Sequence, residues 1–400
     1  MDKKFLKGIV AGAMGFMCLQ GAVLVTGNLL CNGIGIYAGA NEKVLGEDTS
    51  QTLTKMNSLK QCIDQYYMND VKEKDLTEGI YKGMLESLGD PYSCYFTKEE
   101  YADLMADSSG TYCGIGASVM EDTESGMIRI VVPFEGGAAE EAGLQSGDLI
   151  SKVQGQDVIG KDLTEVVALM KGKEGTTVEV ECYLVKEKKM ETFELERREI
   201  EVPTVAYEMK KDKIGYIAVS AFDEPTDEQF IHAVKELQKQ GMQAVVVDLR
   251  NNGGGMLVSV VNMLDYLLPK GRVLVSTKDK NGNGETYKAE SDEFFDLPMV
   301  VLINGNTASA SEVFSGAIQD YKMGTLVGTT SFGKGIVQSV LPLNDGTAVK
   351  LTTSKYYTPK GRNIHGTGID PDVEVELDAE DTKDTQYEQA IKILKREMKK

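Results

Sequence analysis

Val300 to Asp320 reads VVLINGNTASASEVFSGAIQD. It opens on an apolar run, Val300 to Ile303, of the kind that forms a buried strand, and Asn304, Gly305 and Asn306 then turn the chain. Val313, Phe314, Ala317 and Ile318 recur at helical spacing, which predicts a helix from Ser311 to Tyr321. The small residues Ala308, Ser309, Ala310 and Ser311 fall where the strand gives way to the helix. A hydroxyl at that point is held by rigid elements, beside backbone N–H groups that no intrahelical bond uses. That is good ground for a nucleophile. Thr307, Ser309 and Ser311 are also the residue types that cap helices, so capping alone accounts for them equally well.

Lys334, in SFGKGIVQ, tips the reading toward chemistry. The chain holds two histidines. His232 lies in a polar helical pattern and reads as a solvated face; His365 lies in the Gly-rich turn RNIHGTG and reads as a loop residue. A Ser-His-Asp triad therefore has few candidate bases, whereas a Ser-Lys dyad needs no histidine. A lysine acts as a base only when neutral. Its ordinary pKa of about 10.4 must fall by about three units, to about 7 to 8, which takes about 4 kcal/mol of destabilisation of the charged form. Gly333 and Gly335 flank Lys334, and Phe332, Ile336 and Val337 are apolar neighbours that would bury the amine. Gln338 offers an amide to orient the amine without adding charge. Four residues of straight strand span about 13 Å, so the segment has to bend for the two to meet.

A third stretch, DLRNNGGG from Asp248 to Gly255, follows the buried-strand run Ala244 to Val247. Three glycines after a strand let the backbone approach a ligand closely and present N–H donors. They read as half of an oxyanion hole, paired with the N–H of Ala310, or else as a flexible turn.

TASASE around Ser309, FGKGIVQ with Lys334 and Gln338, and DLRNNGGG together resemble the carboxy-terminal processing peptidases, also called tail-specific proteases. Supporting matches are GDPYSCYF at Gly89 to Phe96, GYIAVSAF at Gly215 to Phe222, and KYYTPKGRNIHGTGIDPDVEV at Lys355 to Val375. The resemblance runs from about residue 50 to residue 376 with the motifs in the family's order. It implies that Ser309 is the nucleophile, Lys334 the general base, Gln338 the residue that orients the lysine, and Gly255 with Ala310 the oxyanion donors. It implies neither metal nor cofactor. The family often has proline at the position of Gly253, so this loop is expected to be more flexible than usual.

Around that centre, 400 residues with a hydrophobic fraction of 42% suffice for two or three domains with real cores. A net charge of -19 argues against a nucleic-acid partner, because phosphate contacts need clustered Lys and Arg. Residues 1–45 begin with the basic MDKKFLK, and no charge follows until Glu42. The apolar stretch from Gly8 to Leu30 is long enough to cross a bilayer, and the basic start keeps the N-terminus in the cytoplasm with everything downstream outside it. Ala38-Gly39-Ala40 resembles a signal-peptidase site, so cleavage near Ala40 and secretion is the rival reading. Cys62, Cys94, Cys113 and Cys182 show no metal-like spacing; disulfides are permitted outside the cytoplasm, and buried free thiols fit as well.

Residues 46–107 are expected to be helical, with apolar positions at Met56, Leu59, Ile63 and Tyr66 and then at Leu76, Ile80, Met84 and Leu88. In the resembled family this region helps build dimers, so a homodimer is expected. Residues 108–198 look like a PDZ domain: Tyr112-Cys113-Gly114-Ile115-Gly116 precedes a strand, AAEEAGLQSGDLISKVQGQDV follows, and then a helix from Thr164 to Lys171. Such a loop offers N–H groups to a peptide's C-terminal carboxylate, and the adjoining strand edge pairs with the peptide main chain. Gly136-Gly137-Ala138 stands where the family often has Ser-Pro-Ala. Lys171 occupies the position of a family arginine that couples peptide binding to the catalytic site; lysine keeps the charge but loses the bidentate fork.

Residues 199–376 alternate strands and helices, which indicates an α/β mixed sheet with covering helices and a crevice at the C-terminal ends of adjacent strands. The tail, residues 377–400, carries Tyr387, Ile391, Leu394 and Met398 on one helical stripe and reads as a solvated or a partner-facing helix. The whole describes a membrane-anchored serine endopeptidase that binds exposed C-termini of protein or peptide substrates through its PDZ domain. The alternative is a PDZ-based adaptor with an inactive protease body.

Overall fold

The computed structural model describes residues 23–24, 49–377 and 383–399. The segment 8–30, expected to cross a bilayer, lies outside the described residues but for Val23 and Leu24. Among the described residues no helix is long and apolar enough to cross a membrane. The chain divides into two compact units. One is built mainly from Ala102–Gln338 and Thr352–Lys400, the other from the described part of Val25–Tyr101 with Ser339–Leu351.

The smaller unit holds the two helices expected there, α1 (Thr49–Tyr66) and α2 (Glu73–Glu86), and the strand β1 (Cys94–Phe96), which pairs antiparallel with Ala348–Lys350. No side chain of α2 is buried, and Leu59, Tyr66, Ile80 and Met84 are exposed apolar groups on the two helices.

In the larger unit the PDZ module begins with β2 (Thr111–Gly114), β3 (Ala117–Glu121) and β4 (Ile128–Pro133). After the short α3 (Ala138–Glu141) come β5 (Leu149–Val153), the helix α4 (Leu163–Met170), β6 (Thr177–Leu184) and β7 (Lys189–Glu196). Strands β3, β4, β5, β6 and β7 form an antiparallel sheet in that order, with β3 at its edge. Ile128, Ile130, Ile150, Val166, Val178, Val180 and Leu195 fill a core of its own beneath α4, whose N-cap Asp162 accepts the N–H of Thr164 at 2.8 Å. Beyond β7, β8 (Arg198–Glu201) pairs antiparallel with β2, Glu201 opposite Thr111. The four described cysteines are all free, and only Cys182 is buried, which pushes its thiol up to about 12.

The second sheet carries the remaining motifs. Its strands are β9 (Val205–Met209), β10 (Ile214–Val219), β11 (Ala244–Asp248), β12 (Met299–Ile303), β13 (Thr325–Gly328) and β14 (Val373–Glu374), in that order across the sheet. The pair β9–β10 is antiparallel and every later pair is parallel. AVVVD of β11 and MVVLI of β12 are buried at all positions, which is why they read as unbroken apolar runs rather than alternating ones.

The sheet's two faces separate by residue parity. Val245, Val247, Val301 and Ile303 meet α5 (Thr226–Lys239), α6 (Leu257–Leu267) and α7 (Ala310–Tyr321) on one side. Ala244, Val246, Val300 and Leu302 meet the C-terminal helix α8 (Thr385–Glu397) on the other. The tail is therefore neither a solvated nor a partner-facing helix. Its stripe Tyr387, Ile391, Leu394 and Met398 packs on its own sheet, with Ala390 and Leu394 fully buried. A parallel sheet needs cover on both faces, and α8 provides the second.

Candidate active site

Strands β11 and β12 are parallel neighbours with Asp248 opposite Leu302, so the glycine loop and the NGNTASAS turn leave the sheet at the same edge. Asn252, fully buried, locks the two together. Its Nδ2 donates to the carbonyl of Val219 at 2.9 Å and its Oδ1 accepts the N–H of Gly254 at 2.8 Å. Its own carbonyl accepts the N–H of Ala308 and the hydroxyl of Ser311, each at 3.0 Å. The Thr307 hydroxyl donates to the carbonyl of Leu249 at 2.9 Å. Two of the three candidate hydroxyls are thus spent on the loop opposite.

Ser309 is set apart by its backbone. It is the N-cap of α7, fully buried, with φ 56° and ψ -116°. A non-glycine residue at positive φ in a strand-to-helix turn stores backbone strain and aims its side chain away from both elements. Gly254, at φ +101°, lies so close that a Cβ there would stand 2.7 Å from Ser309 Cβ and 2.9 Å from Ala310 N; at Gly255, φ +148°, a Cβ would stand 2.3 Å from the Phe222 carbonyl oxygen. Only glycine fits at either position. Gly255 and Ala310 have backbone N–H groups with no acceptor among the described residues.

Lys334 lies just before β15 (Ile336–Pro342) and is buried, 5% exposed. Val337 and Ile336 are buried beside it in sequence, whereas Phe332, expected to help bury the amine, is 57% exposed. The flanking glycines have a steric reason: a Cβ on Gly335 would stand 2.5 Å from the backbone N of His365, and one on Gly333 2.9 Å from that of Gly368. His365 and His232 have exposed side chains, and His232 stacks edge-on against Tyr207. Gln338 is buried; its Nε2 donates to Thr352 Oγ1 at 3.2 Å, while its Oε1 has no hydrogen-bond partner among the described residues.

Two residues that the sequence pattern does not single out tie these pieces together. Glu312, fully buried in the first turn of α7, accepts on Oε2 the backbone N–H of both Ser309 and Lys334, each at 2.8 Å. Its Oε1 accepts the Ser331 hydroxyl at 2.5 Å and the N–H of Gly333 at 2.8 Å. Burial pushes this carboxyl above its ordinary range, and the four donors pull part of the way back. The fully buried Tyr356 shares its hydroxyl proton between the carbonyls of Ser309, at 2.9 Å, and Lys334, at 2.5 Å. A glutamate three residues after a candidate N-cap serine is a capping-box signal that could have pointed to Glu312; Tyr356 leaves no such signal.

The glycine loop is anchored from behind as well. Arg250 donates to both oxygens of Asp248 and to both of Asp384, the N-cap of α8, and the Tyr216 hydroxyl donates to Asp248 at 2.6 Å. The C-terminal helix is thus fixed to the base of the loop that carries Gly255.

In the PDZ module Tyr112, Cys113 and Gly114 form most of β2, and Ile115 and Gly116 the loop to β3. A cavity of about 350 Å³ lies beside them, lined by Tyr112, Ile115, Ala117, Phe134, Met170 and Lys171 among others. Lys171 caps the C-terminus of α4, with its Nζ 5.9 Å from the centre of the Tyr112 ring.

A PDZ module joined to a sheet whose edge bears a strained serine, a buried lysine and N–H groups without an acceptor among the described residues fits a PDZ-bearing serine-type peptidase. Sequence comparison agrees. Residues 213–375 match Peptidase family S41, residues 129–183 the PDZ domain, and residues 36–100 the Activating protease CtpB N-terminal domain. The carboxy-terminal processing protease CtpA of Bacillus subtilis is 36% identical over 359 residues, 89% of this chain and 76% of that protein. CtpB of the same organism is 36% identical over 374 residues, 88% and 77% of the two chains. Among solved structures, the photosystem II D1 C-terminal processing protease is similar at 26% identity and a TM-score of 0.49, over 98% of each chain. The chain belongs to peptidase family S41, among the carboxy-terminal processing proteases.

Proposed function

We propose that this chain is a membrane-anchored serine endopeptidase in which Ser309 is the nucleophile and Lys334 the general base, and that its PDZ module takes up the C-terminus of the substrate. The observation that carries this reading is the single oxygen of Glu312 that holds the backbone N–H of both residues, each at 2.8 Å, and so fixes nucleophile and base to one another. Ser309 Oγ attacks the carbonyl carbon of the scissile bond as neutral Lys334 Nζ takes its proton. The negative charge develops on the carbonyl oxygen, toward the N–H groups of Gly255 and Ala310. The lysine ammonium returns the proton to the departing amine, and water hydrolyses the acyl ester by the same route, restoring both side chains. Gln338, whose buried Oε1 has no partner among the described residues, supplies an acceptor to hold the ammonium in line.

The test uses the full chain and an unstructured protein with an apolar C-terminal residue, compared with the same protein amidated at its C-terminus, with fragments read by mass spectrometry. Cleavage is expected of both, with the amidated form slower by about tenfold in kcat/KM, the order of one lost charge-assisted anchor. No cleavage of either by folded protein would leave an inactive PDZ adaptor. Equal rates would remove the C-terminal recognition and keep the peptidase.

The anchor is residues 8–30 behind the basic MDKKFLK, which puts the catalytic part outside the cytoplasm; secretion after cleavage near Ala40 is the rival. Exposed apolar side chains on α1 and α2, Leu59, Tyr66, Ile80 and Met84 among them, support a homodimer built there. The full chain should stay with membranes through an alkaline carbonate wash, whereas a chain beginning at residue 46 should be soluble and sediment at twice its own mass. Release of the full chain by the wash sinks the anchor, and a monomer mass sinks the dimer.

A further inference from the structure

The PDZ groove holds a feature that ordinary peptide capture does not require. Strand β3 is the free edge of its sheet, where an incoming peptide would pair, and the loop Gly114-Ile115-Gly116-Ala117 closes one end. The carbonyls of this loop are already engaged: Gly116 accepts the N–H of Phe134 at 2.9 Å and Ile115 that of Ala139 at 2.8 Å. Those two bonds pin the loop to Phe134 and to the start of α3. Yet the N–H of Ala117, the first residue of the edge strand, is taken. It donates to the phenol oxygen of Tyr112 at 3.0 Å. The Tyr112 ring lies across the loop, so close that a Cβ on Gly114 would stand 2.7 Å from it. The ring packs edge-on to Phe134 at 6.4 Å, and Lys171 Nζ lies 5.9 Å from its centre. Tyr112, Phe134 and Lys171 all line the 350 Å³ cavity.

We infer that Tyr112 is a built-in latch on the carboxylate-binding loop: its hydroxyl occupies the place of a ligand oxygen on Ala117 N–H, and an arriving C-terminus must displace it. This rests on the reading of the groove as a site for peptide C-termini. The exchange is favourable for one class of ligand. Burial pushes Tyr112 up to about 12, so the latch is a neutral phenol throughout the working range of pH. A carboxylate is a charged acceptor, and hydrogen bonds to it are about twice as strong as neutral ones, so it can win the donor from the phenol. A C-terminal amide or an internal carbonyl would trade one neutral acceptor for another and gain nothing at that atom. The latch thus works against wrong ligands, since every occupant must first lift the ring. Lys171 travels with the event: the ring that moves is the one its ammonium faces, so displacement changes the surroundings of the cation at the end of α4.

The experiment uses the full chain carrying Ser309→Ala, so that no ligand is consumed. The probe is a fluorescent decapeptide ending in an apolar residue, as free acid and as C-terminal amide, read by anisotropy. Tyr112→Phe keeps the ring and its contacts but removes the oxygen that holds Ala117. Binding of the free acid should then tighten about three- to tenfold, the value of a neutral hydrogen bond that no longer has to be broken. Unchanged or weaker binding by Tyr112→Phe, while the parent still prefers acid to amide, overturns the latch and leaves C-terminal capture standing. If neither protein distinguishes acid from amide, the groove does not read C-termini, and both ideas fall.

Discussion

Ser309→Ala and Lys334→Ala should each lower kcat/KM by about 10⁴-fold or more, with the melting temperature little changed. The size follows from what is removed. In the proposed mechanism, loss of Ser309 Oγ leaves no acyl intermediate and loss of Lys334 Nζ leaves the hydroxyl its proton; groups that act as a unit lose nearly everything when one is deleted. The double variant should accordingly be no worse than the poorer single one, which is the sharper half of the prediction. Folding should survive because backbone bonds hold both positions. Glu312 takes the N–H of Ser309 and of Lys334, and Tyr356 the two carbonyls, none of which an alanine disturbs. Steady-state rates on an unstructured protein substrate, measured beside thermal melts, decide the matter. Either single variant retaining more than about 1% of the rate, well above the residue expected from oxyanion stabilisation alone, would remove that residue from the chemistry.

The central sheet was legible because its strands are buried on both faces. Ala244–Asp248 and Met299–Ile303 carry no polar interruption, and their parallel adjacency brings the loops that follow them to one edge. The choice among Thr307, Ser309 and Ser311 was not legible from the residues alone. The hydroxyls of Thr307 and Ser311 hold the carbonyls of Leu249 and Asn252, partners more than fifty residues away in sequence, and the positive φ of Ser309 is equally invisible in the residue types. It was the family likeness that pointed to Ser309. The tail shows the limit of periodicity. Its stripe of Tyr387, Ile391, Leu394 and Met398 says that one face will be covered but not by what, and the uncovered face of its own sheet proves to be the cover. Phe332 fails for the opposite reason. Proximity in sequence to Lys334 does not put its ring against the amine, and it points to solvent.

Glu312 is where the site should be most sensitive outside the reacting groups themselves, and Glu312→Gln isolates the reason. The carboxylate serves four donors, two on each oxygen, and has no donor of its own to place. A carboxamide of the same shape turns one oxygen into an NH₂. Facing Oε2's partners, it would confront the N–H groups of Ser309 and Lys334 at once. Facing Oε1's, it would confront the N–H of Gly333 and a Ser331 oxygen that already accepts the N–H of Ile369 at 2.7 Å. Either way at least one buried N–H is orphaned, at about 1–3 kcal/mol, and the loop bearing Lys334 is pushed from the helix bearing Ser309. A displacement on the order of 1 Å between nucleophile and base is worth about 10²-fold, and that is the expected fall in kcat. KM and peptide binding to the PDZ module should stay within about threefold, because the hydrogen bonds of Glu312 run to Ser309, Ser331, Gly333 and Lys334 and, among the described residues, none runs to those that line the groove. A purely structural glutamate would give a different pattern, with the active fraction falling while the surviving molecules turn over at the parent rate. Titration of active sites alongside kcat separates the two, and a full complement of sites at the parent kcat would show that Glu312 does not position the pair.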